Sequence, residues 1–261
     1  MDDILRRDDL APVAILVLNQ PSTLNALSMA MLTALNTQLD RIAADPTLRV
    51  VILRAGGKAF CAGHDLREIQ AARSASDGGS AAFTALFGLC ATVMQKITTL
   101  PQPVIAEVAG IATAAGCQLA ASCDLVVASE AARFGVNGVN IGLFCSTPLV
   151  ALARKIPRSA AFELAATGEF LTAARAQTLG LVNRVISPEL LQSETMMLAQ
   201  SLAQKLQSAL SIGKSAFAAQ TAGPLDEAYA TAGAAMVQNL LHPATAEGIT
   251  AFLEKRAPRW P

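Results

Sequence analysis

The chain has 261 residues, 52% of them hydrophobic and 15% charged, with 20 basic and 20 acidic side chains in balance. That length and composition suit a globular protein with one large buried core, and the zero net charge argues against a nucleic-acid binder, which usually carries a strong basic excess. Aromatics are only 4%, so the core must be largely Ala, Leu, Val and Ile, and a chain this poor in charge is expected to cover apolar surface by self-association.

Residues 1–12, MDDILRRDDLAP, are acidic and polar and resemble neither a signal nor a transit peptide, so a cytoplasmic location is expected. Val13 to Leu18 predicts a strand that breaks at a Pro-containing turn. Helical spacing runs from about Leu27 to Ala44. RVVILRAGGKAF predicts one strand, continuous in Val and Ile and therefore buried on both faces. Helical stretches follow in DLREIQAARSA and AAFTALFGLCATVMQKITTL, separated by a Gly- and Ser-rich loop. PVIAEVAG predicts a strand, CQLAASCD a helix, and DLVVASE and ARFGV two further strands. TPLVALARKI, SAAFELAATG and TAARAQTLG predict helices, and LVNRVI a last strand. Beyond Ser187 the pattern is helical only, in PELLQSETMMLAQSLAQKLQ, DEAYATAGAAMVQNLL and ATAEGITAFLEKR. The chain thus predicts an α/β core over residues 1–186 and an α-helical region over 187–261. No apolar run is read as long enough to span a membrane. The five cysteines, Cys61, Cys90, Cys117, Cys123 and Cys145, are odd in number and form no C-x-x-C pair. That argues against a zinc site or disulfide framework and for a reducing compartment.

Two stretches have the composition of a backbone ligand site. GKAFCAGHDL and GIATAAGCQL are strand-to-helix junctions rich in Gly and Ala. Such junctions let a ligand approach the backbone, and helix N-termini present free N–H groups and partial positive charge. Facing each other, they would form a pair of donors for one oxygen. Taken singly, each is equally a close packing of helix on sheet.

The order and separation of several blocks carry more. LNQPSTLNAL, GKAFCAGHDLREI, PVIAEVAGIATAAGCQLAASCDLVVASEAARFG, TGEFLTAARAQTLGLVNRV and GITAFLEKR together resemble the enoyl-CoA hydratase/isomerase (crotonase) superfamily over nearly the whole chain. FCAGHDL, GIATAAGCQL and GLFCSTP are similar to the corresponding blocks of the mitochondrial-type enoyl-CoA hydratase domain-containing proteins. The resemblance implies a right-handed spiral of ββα turns followed by a helical trimerisation region, in a homotrimer or homohexamer. It implies an acyl-CoA substrate, with coenzyme A as part of that substrate, no separate cofactor and no metal. The backbone N–H groups of His64 and Ala115 would be the oxyanion donors; Ala115 stands where the family usually has glycine, which requires a negative φ there. Ala62, Gly63, His64, Asp65 and Leu66 would line the coenzyme A. Lys58 and Arg67 would face its phosphates, and Phe252 and Lys255 would reach the adenine from a neighbouring subunit. Ala115 and Gly138 would border the acyl group.

The chain departs from that pattern at both catalytic carboxylates. Gln118 and Gly138 stand where hydratases have glutamates. Gln118 can orient a water but cannot take a proton near neutral pH. Loss of general acid–base catalysis usually costs 10²–10⁴-fold, so hydration is expected to be slow, with decarboxylase, thioesterase or isomerase chemistry open. The alternative is a non-catalytic acyl-CoA-binding or regulatory protein. His64 is the best titratable candidate, its side chain otherwise pointing to solvent or the coenzyme A phosphates. Cys145 falls on the pocket wall as a small hydrophobe or a nucleophile. Asn137, Asn140 and Ser146 are read as turn or cap residues or as holders of a polar acyl group. Glu107 is either a relocated acid or a surface-facing or salt-bridged residue. Asp65 is expected to cap a helix, Asp124 to be structural, and His242 to lie in a loop.

Overall fold

The computed structural model describes residues 4–221 and 223–260. β1 (Leu5–Leu10) and β2 (Val13–Leu18) pair antiparallel. α1 (Met29–Ala43) begins at Ser28, whose hydroxyl accepts from Met31 N–H and so satisfies a free helix donor. β3 (Val50–Ala55), β4 (Ala59–Cys61), α2 (Leu66–Ala72) and α3 (Ser80–Thr99) follow. β5 (Val104–Val108) and β6 (Ile111–Thr113) lead into α4 (Ala115–Ser122). Next come β7 (Leu125–Ser129), β8 (Arg133–Gly135), α5 (Ser146–Leu152) and α6 (Arg158–Thr167). β9 (Phe170–Thr172), α7 (Ala173–Leu179) and β10 (Arg184–Ile186) complete the mixed part. Then follow α8 (Leu191–Ala203), α9 (Gln207–Gln220), α10 (Leu225–Leu241) and α11 (Pro243–Leu253).

The strands form two sheets, ordered β1-β2-β3-β5-β7-β10 and β4-β6-β8-β9. Apart from the antiparallel pairs β1/β2 and β8/β9, neighbours run parallel. Three successive passes, β3/β4, β5/β6 and β7/β8, each put one strand in each sheet, so the chain winds as a spiral.

Alternation in the larger sheet divides the core. Ala14, Leu16, Leu18, Val51, Leu53, Ala106 and Val108 face the main core with α1, α3 and α4. Val13, Ile15, Val17, Val50, Ile52, Ile105 and Val127 face Leu191, Ala199 and Ala203 of α8. Both faces are covered, which is why these strands are continuous in apolar residues.

One strand was not read from sequence, and two sequence expectations need correction. Residues 5–10 form a strand despite their charges, because β1 is the edge of its sheet and its outer side chains are largely exposed. The single strand expected over 50–60 is two, since the chain turns at Gly57, with φ of +84°, and changes sheet. α3 is 20 residues long and apolar enough to cross a membrane by length and composition. Here it packs Leu86, Cys90, Val93, Met94 and Ile97 into the core.

Asp124 is structural, as expected. Its Oδ2 accepts from Val104 N–H at 2.7 Å and from Lys214 Nζ at 2.6 Å. Lys214 also donates to the carbonyls of Ile97 and Gln102, so one cation ties α9 to the α/β core. Lys155 Nζ donates to the carbonyls of Cys123 and Asp124, and burial lowers its pKa.

Candidate functional site

The two Gly- and Ala-rich junctions are neighbours because β4 pairs with β6. A Cβ added at Gly63 would lie 2.9 Å from Ala114 Cβ and 3.4 Å from Ala115 N. A Cβ at Gly116 would run into the Cys61 carbonyl. Glycine is required at both for this close approach, and Gly63 also takes φ of +96°. Gly63 N–H donates to Cys61 Sγ at 3.5 Å, and Gly63 carbonyl accepts from Leu27 N–H at 2.7 Å. Among the described residues, no acceptor is found for the N–H groups of His64 or Ala115.

Ala115 opens α4 without a positive φ, meeting the condition set by its side chain. The unusual backbone falls one residue earlier. Ala114 has φ of 48° and ψ of −123°, a conformation that costs a non-glycine residue roughly 1–3 kcal/mol and that clusters at functional sites. α4 is buried along its whole length.

Gln118 sits one turn into α4 and is 5% exposed, with a buried Oε1 that has no hydrogen-bond partner. Gly138 is buried, and a Cβ there would lie 2.5 Å from the Leu143 carbonyl oxygen and 2.7 Å from Cys145 Sγ. The position holds no carboxylate and has no space for one. Cys145 is half-buried, and burial pushes its thiol pKa up, away from the thiolate a nucleophile needs.

The His64 side chain does not point freely into solvent. Its Nδ1 lies 3.2 Å from the Leu27 carbonyl oxygen, and its ring meets Phe87 edge-on with centroids 5.4 Å apart. Nε2 is buried without a partner. Burial lowers the His64 pKa, with the Leu27 hydrogen bond and the Glu68 charge acting the other way.

Other residues fall as follows. Asp65 caps α2 by accepting from Arg67 N–H at 2.8 Å. Asn137 accepts from Thr113 Oγ1 at 2.7 Å, and Asn140 donates to the Gly168 carbonyl at 3.5 Å. Ser146 opens α5 with its hydroxyl on the Phe144 carbonyl. Ala62 N–H donates to the Leu24 carbonyl. Lys58, Leu66 and Arg67 are exposed around the first junction. Phe252 and Lys255 are exposed at the end of α11. His242 caps α11, accepting from Ala244 N–H through Nδ1. Glu107 corrects both of its readings. It is 5% exposed, makes no ion pair within 4 Å among the described residues, and shares the sheet face of Ile105 beneath α8. That is the face opposite α4. Burial raises its pKa, with the Arg54 charge and the Thr195 hydroxyl opposing.

Phe87, the Leu27 carbonyl and the strained Ala114 were not found from sequence. Phe87 has no motif around it, and the other two act through backbone. No group of three metal-ligating side chains occurs among the described residues. Four cysteines, Cys61, Cys90, Cys117 and Cys123, are fully buried and free, with thiol pKa values pushed up by burial to about 12, 11, 12 and 12.

The sequence model of the enoyl-CoA hydratase/isomerase family matches residues 9–261. Enoyl-CoA hydratase domain-containing protein 3, mitochondrial, of Xenopus laevis is 45% identical over 245 residues, covering 94% of this chain and 82% of that protein. A crystal structure of an enoyl-CoA hydratase from Mycobacterium smegmatis superposes with a TM-score of 0.94 at 48% identity, covering 99% of both chains. The crystal structure of human enoyl-CoA hydratase domain-containing protein 3 gives a TM-score of 0.93 at 43% identity, covering 99% of this chain and 100% of that one. These relatives overturn the cytoplasmic location expected from residues 1–12. The Xenopus laevis protein and its namesakes in four other vertebrates are named mitochondrial, and compartment is carried by targeting segments rather than by the composition of a folded core. The match over residues 9–261 and the shared fold establish that the chain belongs to the enoyl-CoA hydratase/isomerase family.

Proposed function

We propose that the chain binds an acyl-CoA thioester with its carbonyl oxygen between the N–H groups of His64 and Ala115. These donors stabilise the enolate formed beside the thioester. The observation that carries this reading is the contact between the two junctions, where Gly63 packs on Ala114 and Ala115 N. Each such donor is worth about 3 kcal/mol of transition-state stabilisation. Ala62 to Arg67, with Lys58, hold the coenzyme A, while Phe252 and Lys255 approach it from a neighbouring protomer. The assembly is a homotrimer or homohexamer built through residues 187–261.

Hydration needs two proton-handling groups, and positions 118 and 138 supply neither. Crotonyl-CoA hydration is therefore roughly 10²–10⁴-fold slower than in a two-glutamate relative. Decarboxylation, thioester cleavage and isomerisation all draw on the same enolate or oxyanion stabilisation. The test is calorimetry over an acyl-CoA chain-length panel, followed by mass spectrometry with malonyl-, methylmalonyl-, enoyl- and saturated acyl-CoA. Binding supports the placement, and the products separate the reactions: CO₂, free CoA, or a shifted double bond. Binding with no product marks a non-catalytic acyl-CoA-binding protein; no binding across the panel overturns the reading.

A further inference from the structure

We infer that residues 254–260 form a strap that sets where α11 presents Phe252 and Lys255, with Arg256 and Trp260 as its positioning residues. This role rests on the placement proposed above for those two side chains, against the coenzyme A of a neighbouring protomer, and adds what fixes them.

α11 has little of its own to hold it. Of its 11 residues only Ala244 and Ala251 are buried, and two methyl groups bury little apolar area. Its N-terminal end is tied to α10 by the Thr245 hydroxyl on Asn239. Its C-terminal end carries Phe252, and the chain reverses just beyond, at Lys255. That residue takes φ of +56°. Lys255 N–H donates to the Phe252 carbonyl at 3.1 Å, and Arg256 N–H to the Ala251 carbonyl at 3.0 Å. Glycine is usual at such a turn; here the turn carries an exposed lysine side chain.

Beyond the turn the chain runs back along α11. Arg256 donates to both Glu247 oxygens, at 2.7 and 2.9 Å, and through Nε to Glu254 at 2.7 Å. Arg259 N–H donates to Glu247 Oε1 at 2.8 Å. With those donors on it, the Glu247 carboxyl is held down at about 2, so the fork is charged on both sides at neutral pH. An exposed ion pair by itself is worth little, but a two-bond fork fixes direction. The indole makes the last contact. Trp260 Nε1 donates at 3.0 Å to the carbonyl of Gln204, the C-cap of α8, and a Cβ added at Gly248 would lie 2.9 Å from the Trp260 ring. α8 covers the larger sheet, so the strap ties α11 to the core that carries the two backbone donors. A cleft of about 670 Å³ lies between the strap and the start of α11, lined by Pro243, Ala244, Glu247, Arg256 and Arg259. On that side the strap is held by its bonds rather than by packing.

The experiment measures butyryl-CoA affinity of the full-length protein by calorimetry. Combined Phe252→Ala and Lys255→Ala give what the two presented side chains contribute. Arg256→Met keeps the stem and removes the fork. Gly248→Leu is a better helix former and displaces the indole without altering the strap's own residues. Each strap variant is expected to weaken binding about tenfold, with emission of Trp260, the one tryptophan of the chain, moving to longer wavelength. Neither is expected to weaken binding further once Phe252 and Lys255 are alanine, because a residue that acts through another is not additive with it. Melting temperature and sedimentation are followed for every variant. Unchanged affinity in a folded strap variant whose emission has shifted, an equal loss in both backgrounds, or a loss that comes with smaller species overturns the strap's role and leaves the placement of Phe252 and Lys255 standing. Wild-type affinity in the double alanine variant overturns that placement and the strap's role with it.

Discussion

A Cβ added to Gly138 meets the Leu143 carbonyl oxygen at 2.5 Å and Cys145 Sγ at 2.7 Å, so glutamate cannot be restored there by one substitution. Gly138→Ala should destabilise by about 1–3 kcal/mol through overpacking, read as a lower urea midpoint. Gly138→Glu should add no hydratase activity. Ala114 presents the opposite case: Ala114→Gly relieves φ of 48° and removes a methyl from the Gly63 contact. Strain of roughly 1–3 kcal/mol outweighs the 0.5–1 kcal/mol of extra chain entropy that glycine brings. A rise of about 1 kcal/mol in unfolding free energy is therefore expected, and a fall would show that Ala114 is unstrained. At this scale the sequence was informative about identity and silent about direction. Gln118 and Gly138 could be read as missing carboxylates, and Asp65 as a cap. The filled space at Gly138 and the orientation of the His64 ring depend on Leu143, Leu27 and Phe87, which approach from elsewhere in the chain.

The elements that position the site are held by buried polar contacts whose cost depends on pH. Glu107 faces α8 with its folded pKa raised above that of the unfolded chain. The folded state then holds the proton more tightly. Its contribution to stability is fully present below the unfolded value near 4.5 and is lost as pH rises through the folded one. Glu107→Gln should therefore stabilise by about 1 kcal/mol at pH 8, with the gain shrinking toward pH 4, in parallel urea titrations. Lys214→Met removes the cation shared by Asp124 and two carbonyls. Leaving those acceptors unpaired should cost about 2–3 kcal/mol, with amide exchange in α9 rising first. Most elements were legible because their patterns are clean: Val13–Leu18 and Val50–Leu53 are uninterrupted apolar runs, and α3 repeats its buried residues at helical spacing. β6 and β9 are three residues each and follow directly on a strand and a helix, so neither stands apart as a segment of its own. α9 buries no residue fully, so its pattern carried little signal.

For the molecule as a whole, α10 is the longest helix with no buried residue among the described residues. None of its 17 residues is buried, and Leu225, Tyr229, Met236, Val237, Leu240 and Leu241 are exposed. A groove of about 460 Å³ runs between it and α9, lined by Ile212, Ala216, Phe217, Tyr229 and Met236. Contiguous apolar surface of this kind marks an interaction site. The proposed homo-oligomer should sediment as a trimer or hexamer, and Tyr229→Asp with Leu240→Asp should release smaller species. A wild-type monomer at working concentration would refute the assembly. Composition raised the expectation of self-association, and the structure adds that α10 keeps its large apolar side chains outside the core. The cysteines give the same molecule an internal clock. Four thiols have no route to solvent short of opening the core, and their raised pKa values keep them unreactive while it is closed. Under excess thiol reagent, Cys145 should be modified first and the other four together, at the rate at which the core opens. The protein therefore reports its own unfolding rate without a label, under the conditions in which it works.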